Sequence, residues 1–158
     1  MITFRPFEKN DAKTVLSWTT ENSFFLWCAD RFSGYPLSED EFNNIYNDES
    51  YSGFVACENG ENIGHLFMQR LTYDKIKFGL IIVDNTKRGQ GLGKRMLENA
   101  LVFAKEKYNP KSVVLSVFDE NPSAAKCYIS LGFAYNQNER TIFHEGKDYI
   151  YREMEYLM

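Results

Sequence analysis

Val83-Asp84-Asn85-Thr86-Lys87-Arg88-Gly89-Gln90-Gly91-Leu92-Gly93-Lys94-Arg95 is the stretch from which the fold is read. Just before it, Phe78 to Val83 is an almost unbroken apolar run, the pattern of a central strand buried on both faces. Just after it, Leu92, Met96, Leu97, Ala100, Leu101, Phe103 and Ala104 form an apolar stripe at helical spacing. That spacing predicts a helix over 91–108, stopped by Asn109-Pro110. A short basic loop with three glycines therefore joins a buried strand to a helix. Glycines leave backbone N–H groups uncovered, and a helix start adds a positive dipole end worth about 0.3–1 kcal/mol per nearby anion. Together they make a site for phosphate groups, to which Arg88, Lys94 and Arg95 can add full charges.

Two nucleotide loops fail on residue identity. In the dinucleotide fingerprint G-x-G-x-x-G, Gly89 and Gly91 fit but the last glycine falls on Lys94. In the phosphate loop G-x-x-x-x-G-K-S/T, Gly93-Lys94 fit, but Arg88 and Arg95 stand where a glycine and a hydroxyl belong.

Working outward, Ile2 to Phe7 alternates as a first strand. Asp11 is a candidate N-cap for a helix through Val15, Leu16 and Trp18. Asn22 to Arg31 reads as an irregular aromatic helix that Gly34-Tyr35-Pro36 breaks, and Ser38 with Glu41 matches a capping box before Phe42 and Ile45. Gly53–Glu58 and Ile63–Leu71 flank Asn59-Gly60, a strong hairpin signal, and a strand over Lys75–Val83 follows. Beyond the long helix, Ser112–Phe118 is a buried strand. Asn121-Pro122 opens a helix that Leu131-Gly132 closes. Phe133–Gln137 and Asp148–Leu157 are the last strands, with Glu145-Gly146-Lys147 in their turn. A right-handed crossover at 75–118 makes its two strands parallel neighbours. The expected class is mixed α/β, α+β-like: one domain over 1–158, with a mostly antiparallel twisted sheet, one parallel pair and helices on both faces.

Composition narrows the function. Of 158 residues, 44% are hydrophobic and 25% charged, which excludes disordered and fibrous chains. A formal charge of −4 argues against nucleic-acid binding, which needs a basic face. No apolar run approaches the roughly 20 residues that span a bilayer, and the start has no apolar leader segment. Cys28, Cys57 and Cys127 are scattered, which fits a reducing cytoplasm, and two histidines without ligand spacing imply no metal site.

Arg88-Gly89-Gln90-Gly91-Leu92-Gly93 resembles the Q/R-x-x-G-x-G/A signature of the GNAT family, the Gcn5-related N-acetyltransferases. A second piece, Asn121 to Phe133, resembles the family's N-x-x-A-x-x-x-Y-x-x-x-G-F helix. The likeness covers most of the chain and weakens before residue 50. It lies nearest the ribosomal-protein N-acetyltransferases and the small-molecule amine acetyltransferases. It implies an acyltransferase that moves acetyl from acetyl-CoA to a primary amine of a small molecule or protein N-terminus, by direct attack in a ternary complex, without a metal. A non-catalytic acyl-CoA sensor of the same fold is the alternative. A monomer or homodimer is expected.

By the same resemblance, the backbone of Ile81, Ile82 and Val83 pairs with the pantetheine arm. Arg88, Gly89, Gln90, Gly91, Leu92, Gly93 and Lys94 surround the pyrophosphate, Asn121 contacts the arm, and Tyr128 protonates the departing thiolate. Asn121 and Tyr128, seven residues apart, share one helix face. The glutamate that many relatives place before the loop falls near Lys77, and one on the next strand falls at Ser116. With no carboxylate there, His65, Asp30 and Asp74 remain candidate bases. The acceptor pocket is expected from residues 18–50 and the turn near 145, with Phe24, Phe25 and Trp27 in the wall or core. Asp30, Glu39, Asp40 and Glu41 are candidate cation attractors. Cys127, about 100° around the helix from Tyr128, is assigned to the core.

Overall fold

The computed structural model describes residues 1–87 and 89–158. Its seven strands are β1 (Thr3–Pro6), β2 (Tyr51–Glu58), β3 (Glu61–Thr72), β4 (Lys75–Val83), β5 (Ser112–Phe118), β6 (Ala134–His144) and β7 (Lys147–Leu157). The helices are α1 (Ala12–Ser17), α2 (Phe24–Cys28), α3 (Glu39–Asn44), α4 (Leu92–Tyr108) and α5 (Pro122–Leu131). The strands make one sheet in the order β1-β2-β3-β4-β5-β7-β6. Every neighbouring pair is antiparallel except β4 with β5.

Helices cover both faces. On one side α4 and α5 pack Met96, Leu97 and Tyr128 against Ile76, Phe78, Leu115 and Met154. On the other, α1 to α3 bring Val15, Phe24 and Phe42 onto Phe67 and Leu80. Burying each large apolar side chain contributes about 1.5–3 kcal/mol, so two cores clamp the sheet between them.

The decisive feature is a short pairing. β4 and β5 pair only from Lys75↔Ser112 to Lys77↔Val114. Beyond that, β5 stays with β7 along its whole length, and β4 stays with β3. The register of β3 and β4 shifts between His65 and Phe67, and Leu80, the extra residue of β4, has φ 47°. A non-glycine residue held there costs about 1–2 kcal/mol, so something must hold it. The two parallel neighbours therefore part after Lys77, and the C-terminal half of β4 has no strand on that side.

Several expectations are corrected. The apolar end of β4 is not buried on both faces: Gly79 and Ile81–Val83 are only half-buried, because they border the opening. Asp11 is the N-cap residue of α1, as expected, but its side chain bonds no N–H of that helix and instead closes a capping box on the 3-10 turn before it. Its carboxylate accepts two bonds from Arg5 (2.8 Å each) and one from the Glu8 N–H. Ser38 caps α3 by accepting from the Glu41 N–H, but Glu41 turns to the Ser33 N–H and hydroxyl instead of closing the box. α2 is shorter than the aromatic run, ending at Ala29 with φ 55°. β6 runs on to His144, past the expected Gln137, where φ is 73° and the register slips. It is an exposed edge strand, so its polar second half gives no buried pattern to read.

Candidate functional site

The opening between β4 and β5 is a cavity of about 680 Å³ that reaches both faces of the sheet. One end is the glycine-rich loop. Gly91 is the N-cap of α4 in the left-handed region (φ 63°), and Gly89 has φ 78°. A Cβ at either position would meet no other atom, so backbone geometry and not crowding calls for glycine. Gly89, Gly91, Leu92, Gly93 and Lys94 line this end, and Ile81, Ile82 and Val83 line the middle. Gln90 is exposed and does not line it. Arg88 lies outside the described residues. Arg95, expected to contribute charge here, is instead paired with Glu58 (2.7 Å) on the far side. Lys87 lines the cavity while paired with Glu61; Lys94 lines it with no ion pair among the described residues.

α5 supplies the facing wall. The Asn121 side chain caps it by accepting from the Ala124 N–H (3.3 Å), which fixes the first turn. Seven residues on, Tyr128 lines the same cavity, as the shared helix face requires. Burial holds its phenol above the ordinary tyrosine value, so it keeps its proton at neutral pH. Cys127 packs against the core, as assigned, and lines the cavity as well, because the cavity wraps more than one face of α5. Its thiol is pushed up by burial, which leaves it protonated and a weak nucleophile.

The third wall comes from the region before residue 50. Trp18, Ser23, Leu26, Trp27, Cys28 and Arg31 line the cavity together with Lys77, Ser116 and Tyr151. Phe24 lies in the core beneath, and Phe25 stacks on His144 (centroids 3.8 Å) and Phe118 (5.0 Å), away from the cavity. The turn near 145 takes no part; Tyr151 on β7 stands in its place. Sequence reasoning overlooked Arg31, Tyr151 and the binding potential of Lys77. The readable signal was a second lysine, Lys77, two residues after Lys75 and set between Ile76 and the apolar run of the strand KIKFGLIIV.

None of the three candidate bases reaches the cavity. Asp30 is held by Arg140 through two bonds (2.8 and 2.9 Å), and Asp74 sits at the β3–β4 turn beside Lys111. His65 is fully buried. Its Nδ1 lies 3.0 Å from the Leu80 carbonyl and its Nε2 2.7 Å from the Tyr46 hydroxyl. A carbonyl can only accept, so Nδ1 carries the proton and Nε2 accepts from Tyr46. Burial pushes its pKa down to about 4, so the ring is neutral. His65 is therefore the brace of the Leu80 bulge. Glu39 and Asp40 are exposed on α3, and Glu41 is engaged with Ser33.

A sheet opened at one parallel pair, with a glycine loop feeding a helix beside the gap, is the architecture of a coenzyme-binding acyltransferase domain. The chain belongs to the acetyltransferase (GNAT) family, which residues 14–133 match. Among solved structures, it resembles spermidine N-acetyltransferase from Vibrio cholerae in complex with CoA and spermine, with TM-score 0.81 and 22% identity over 99% of this chain and 95% of that one. Among curated relatives, a spermine/spermidine N(1)-acetyltransferase of Bacillus subtilis (strain 168) is 37% identical over 54 residues, 34% of this chain. That match spans only 36% of the relative's length. Acetyltransferase PseH of Campylobacter jejuni is 21% identical over 94% of this chain and 88% of its own.

Proposed function

We propose that the protein transfers the acetyl group of acetyl-CoA to a primary amine, of a small molecule or a protein N-terminus, by direct attack in a ternary complex. The observation that carries this reading is the parting of β4 and β5 after Lys77. It leaves the backbone edge of Ile81–Val83 without a strand partner, in a cavity that runs from the glycine loop to Tyr128. The pantetheine arm lies along that edge as an added strand, and amides there bind the thioester oxygen as it gains charge. Gly89 to Lys94 and the start of α4 hold the pyrophosphate.

The amine nitrogen attacks the thioester carbon, and the C–S bond breaks. Tyr128 gives its proton to the departing sulfur. The nitrogen of the tetrahedral adduct, now an acidic ammonium, returns a proton to the tyrosinate. One proton thus passes from nitrogen to sulfur with no net change on the enzyme. Tyr128 needs only to be neutral at the start, and burial keeps it so.

A second reading, a CoA sensor that does no chemistry, is favoured by one observation. Among the described residues lining the cavity there is no carboxylate and no imidazole. Calorimetry with CoA and thiol release from acetyl-CoA across a panel of amines separate the two. Binding with amine-dependent release supports the transferase, binding without release supports the sensor, and no binding overturns both. The acidic charge balance disfavours a nucleic-acid partner, and the scattered cysteines favour the cytoplasm.

A further inference from the structure

The end of the cavity away from the glycine loop is rich in donors and poor in acceptors. Lys77 is the last residue of β4 to pair with β5, six residues before Val83. At about 3.3 Å per residue it lies roughly 20 Å along the strand from the loop, too far to serve a pyrophosphate held there. Lys77 and Arg31 both line this end, and no carboxylate forms an ion pair with either among the described residues.

The acids nearby are already committed. Asp30 holds Arg140, Glu41 holds Ser33, and Glu153 accepts from Asn136 (2.6 Å) and Asn138 (2.9 Å). Arg31 itself is fixed from below: its guanidinium lies over the rings of Phe67 (5.0 Å) and Tyr51 (5.5 Å) and donates to the Tyr51 hydroxyl (3.2 Å). Stacking holds the fork in place and leaves other N–H groups free. The indole N–H of Trp27, in the same wall, finds no acceptor among the described residues.

Two cations on one wall repel each other; Asp30 acts on Arg31 and Glu153 on Lys77, but neither carboxylate lines the cavity, and the repulsion falls when an anion enters it. Burial first, then the like charge of Arg31, already holds the Lys77 ammonium below the ordinary lysine range. A polyamine would bring further positive charge to this wall.

We propose that Arg31 and Lys77 form an anion-binding subsite for the acceptor, so that the substrate is a primary amine bearing a carboxylate or phosphate ester and not a polycation. This rests on the acetyltransferase reading above, whose cavity it divides into a coenzyme end and an acceptor end.

The test uses the intact protein, acetyl-CoA and four kinds of amine: amino acids with short and long spacers (glycine to 6-aminohexanoate), glucosamine 6-phosphate, their uncharged counterparts (amino-acid amides, glucosamine), and spermidine. The subsite predicts kcat/KM at least about tenfold higher for one acid-bearing amine than for its uncharged counterpart and for spermidine. The carboxylate and phosphate arms decide which acid it is. Arg31→Gln and Lys77→Gln each lower that value about 10–100-fold through KM. The loss on the uncharged amine is much smaller than on the acid-bearing one, CoA affinity holds, and Lys77→Arg restores most of the preference.

Preference for spermidine, or equal losses on charged and uncharged amines, overturns the subsite while acetyl transfer stands. Should CoA bind and no amine react, the acid-bearing amine must still raise the melting temperature of the CoA complex above what its uncharged counterpart does. Equal shifts overturn the subsite. Failure to bind CoA at all overturns the parent reading and the subsite with it.

Discussion

The two ends of the cavity are built by different means. The coenzyme end is made of backbone: Gly89, Gly91, the start of α4 and the unpaired edge of β4. The acceptor end is made of side chains from five elements or loops, with Trp27, Arg31, Lys77, Ser116 and Tyr151 converging across the sheet. Backbone recognition suits a ligand that does not change, because amides carry no side chain to vary. Side-chain recognition can be altered one residue at a time without touching the coenzyme. The difference predicts that substitutions at one end change coenzyme affinity and at the other change acceptor choice.

Tyr128 sits where the two ends meet and carries the largest expected effect. Tyr128→Phe removes one oxygen from a buried ring and should lower kcat by about 10²–10⁴ while CoA affinity stays unchanged. Steady-state kinetics beside calorimetry reads both, and an unchanged kcat removes its role as proton donor.

His65 is next, because it braces the bulge that turns β4 from one end to the other. Its cation is disfavoured in the fold, so the stability it contributes is present above the unfolded value of 6.5 and is lost as pH falls toward about 4. Over that window the loss reaches about 3 kcal/mol. Asp11, whose charge favours the cation, and the neutral Tyr46 hydroxyl share its surroundings. His65→Gln can still donate to Leu80 but does not titrate. Its melting temperature should therefore fall less between pH 6.5 and 4 than that of the parent. Parallel melting curves across this range would show that the ring does not carry the effect.

Gly91→Val tests the coenzyme end alone. A β-branched residue at φ 63° costs about 1–2 kcal/mol, so the loop must leave the conformation that presents its amides. CoA affinity should drop about tenfold or more in calorimetry, while the relative kcat/KM for two amines stays the same. A changed acceptor preference would mean that the two ends are not separable.

The same contrast explains what was legible in the sequence. Glycine spacing, an apolar strand and an amphipathic helix are local signals, so the loop, α4 and the parallel crossover were readable. The Asn121 and Tyr128 pairing was readable because helix periodicity puts them on one face. The acceptor wall was not, since Arg31 and Tyr151 are 120 residues apart and meet only through sheet order. The apolar end of β4 misled for a physical reason. A strand lining an apolar cavity carries the same residues as one buried in a core, and only the absence of a neighbour distinguishes them.

Cys127 gives the smallest effect and the sharpest check on direct transfer. It lines the cavity one residue from Tyr128, so a two-step route through an acetylated cysteine is geometrically open. The chemistry argues the other way. Burial outweighs the nearby Lys94 charge and raises the thiol, whereas a nucleophilic cysteine needs that value lowered. Cys127→Ala should therefore change kcat less than about twofold, a small packing effect at a half-buried position. Mass spectrometry of the parent protein mixed with acetyl-CoA alone should show no added acetyl group. A large loss in kcat together with an acetylated Cys127 peptide would replace direct attack with a covalent intermediate, and Tyr128 would then serve the first of two steps.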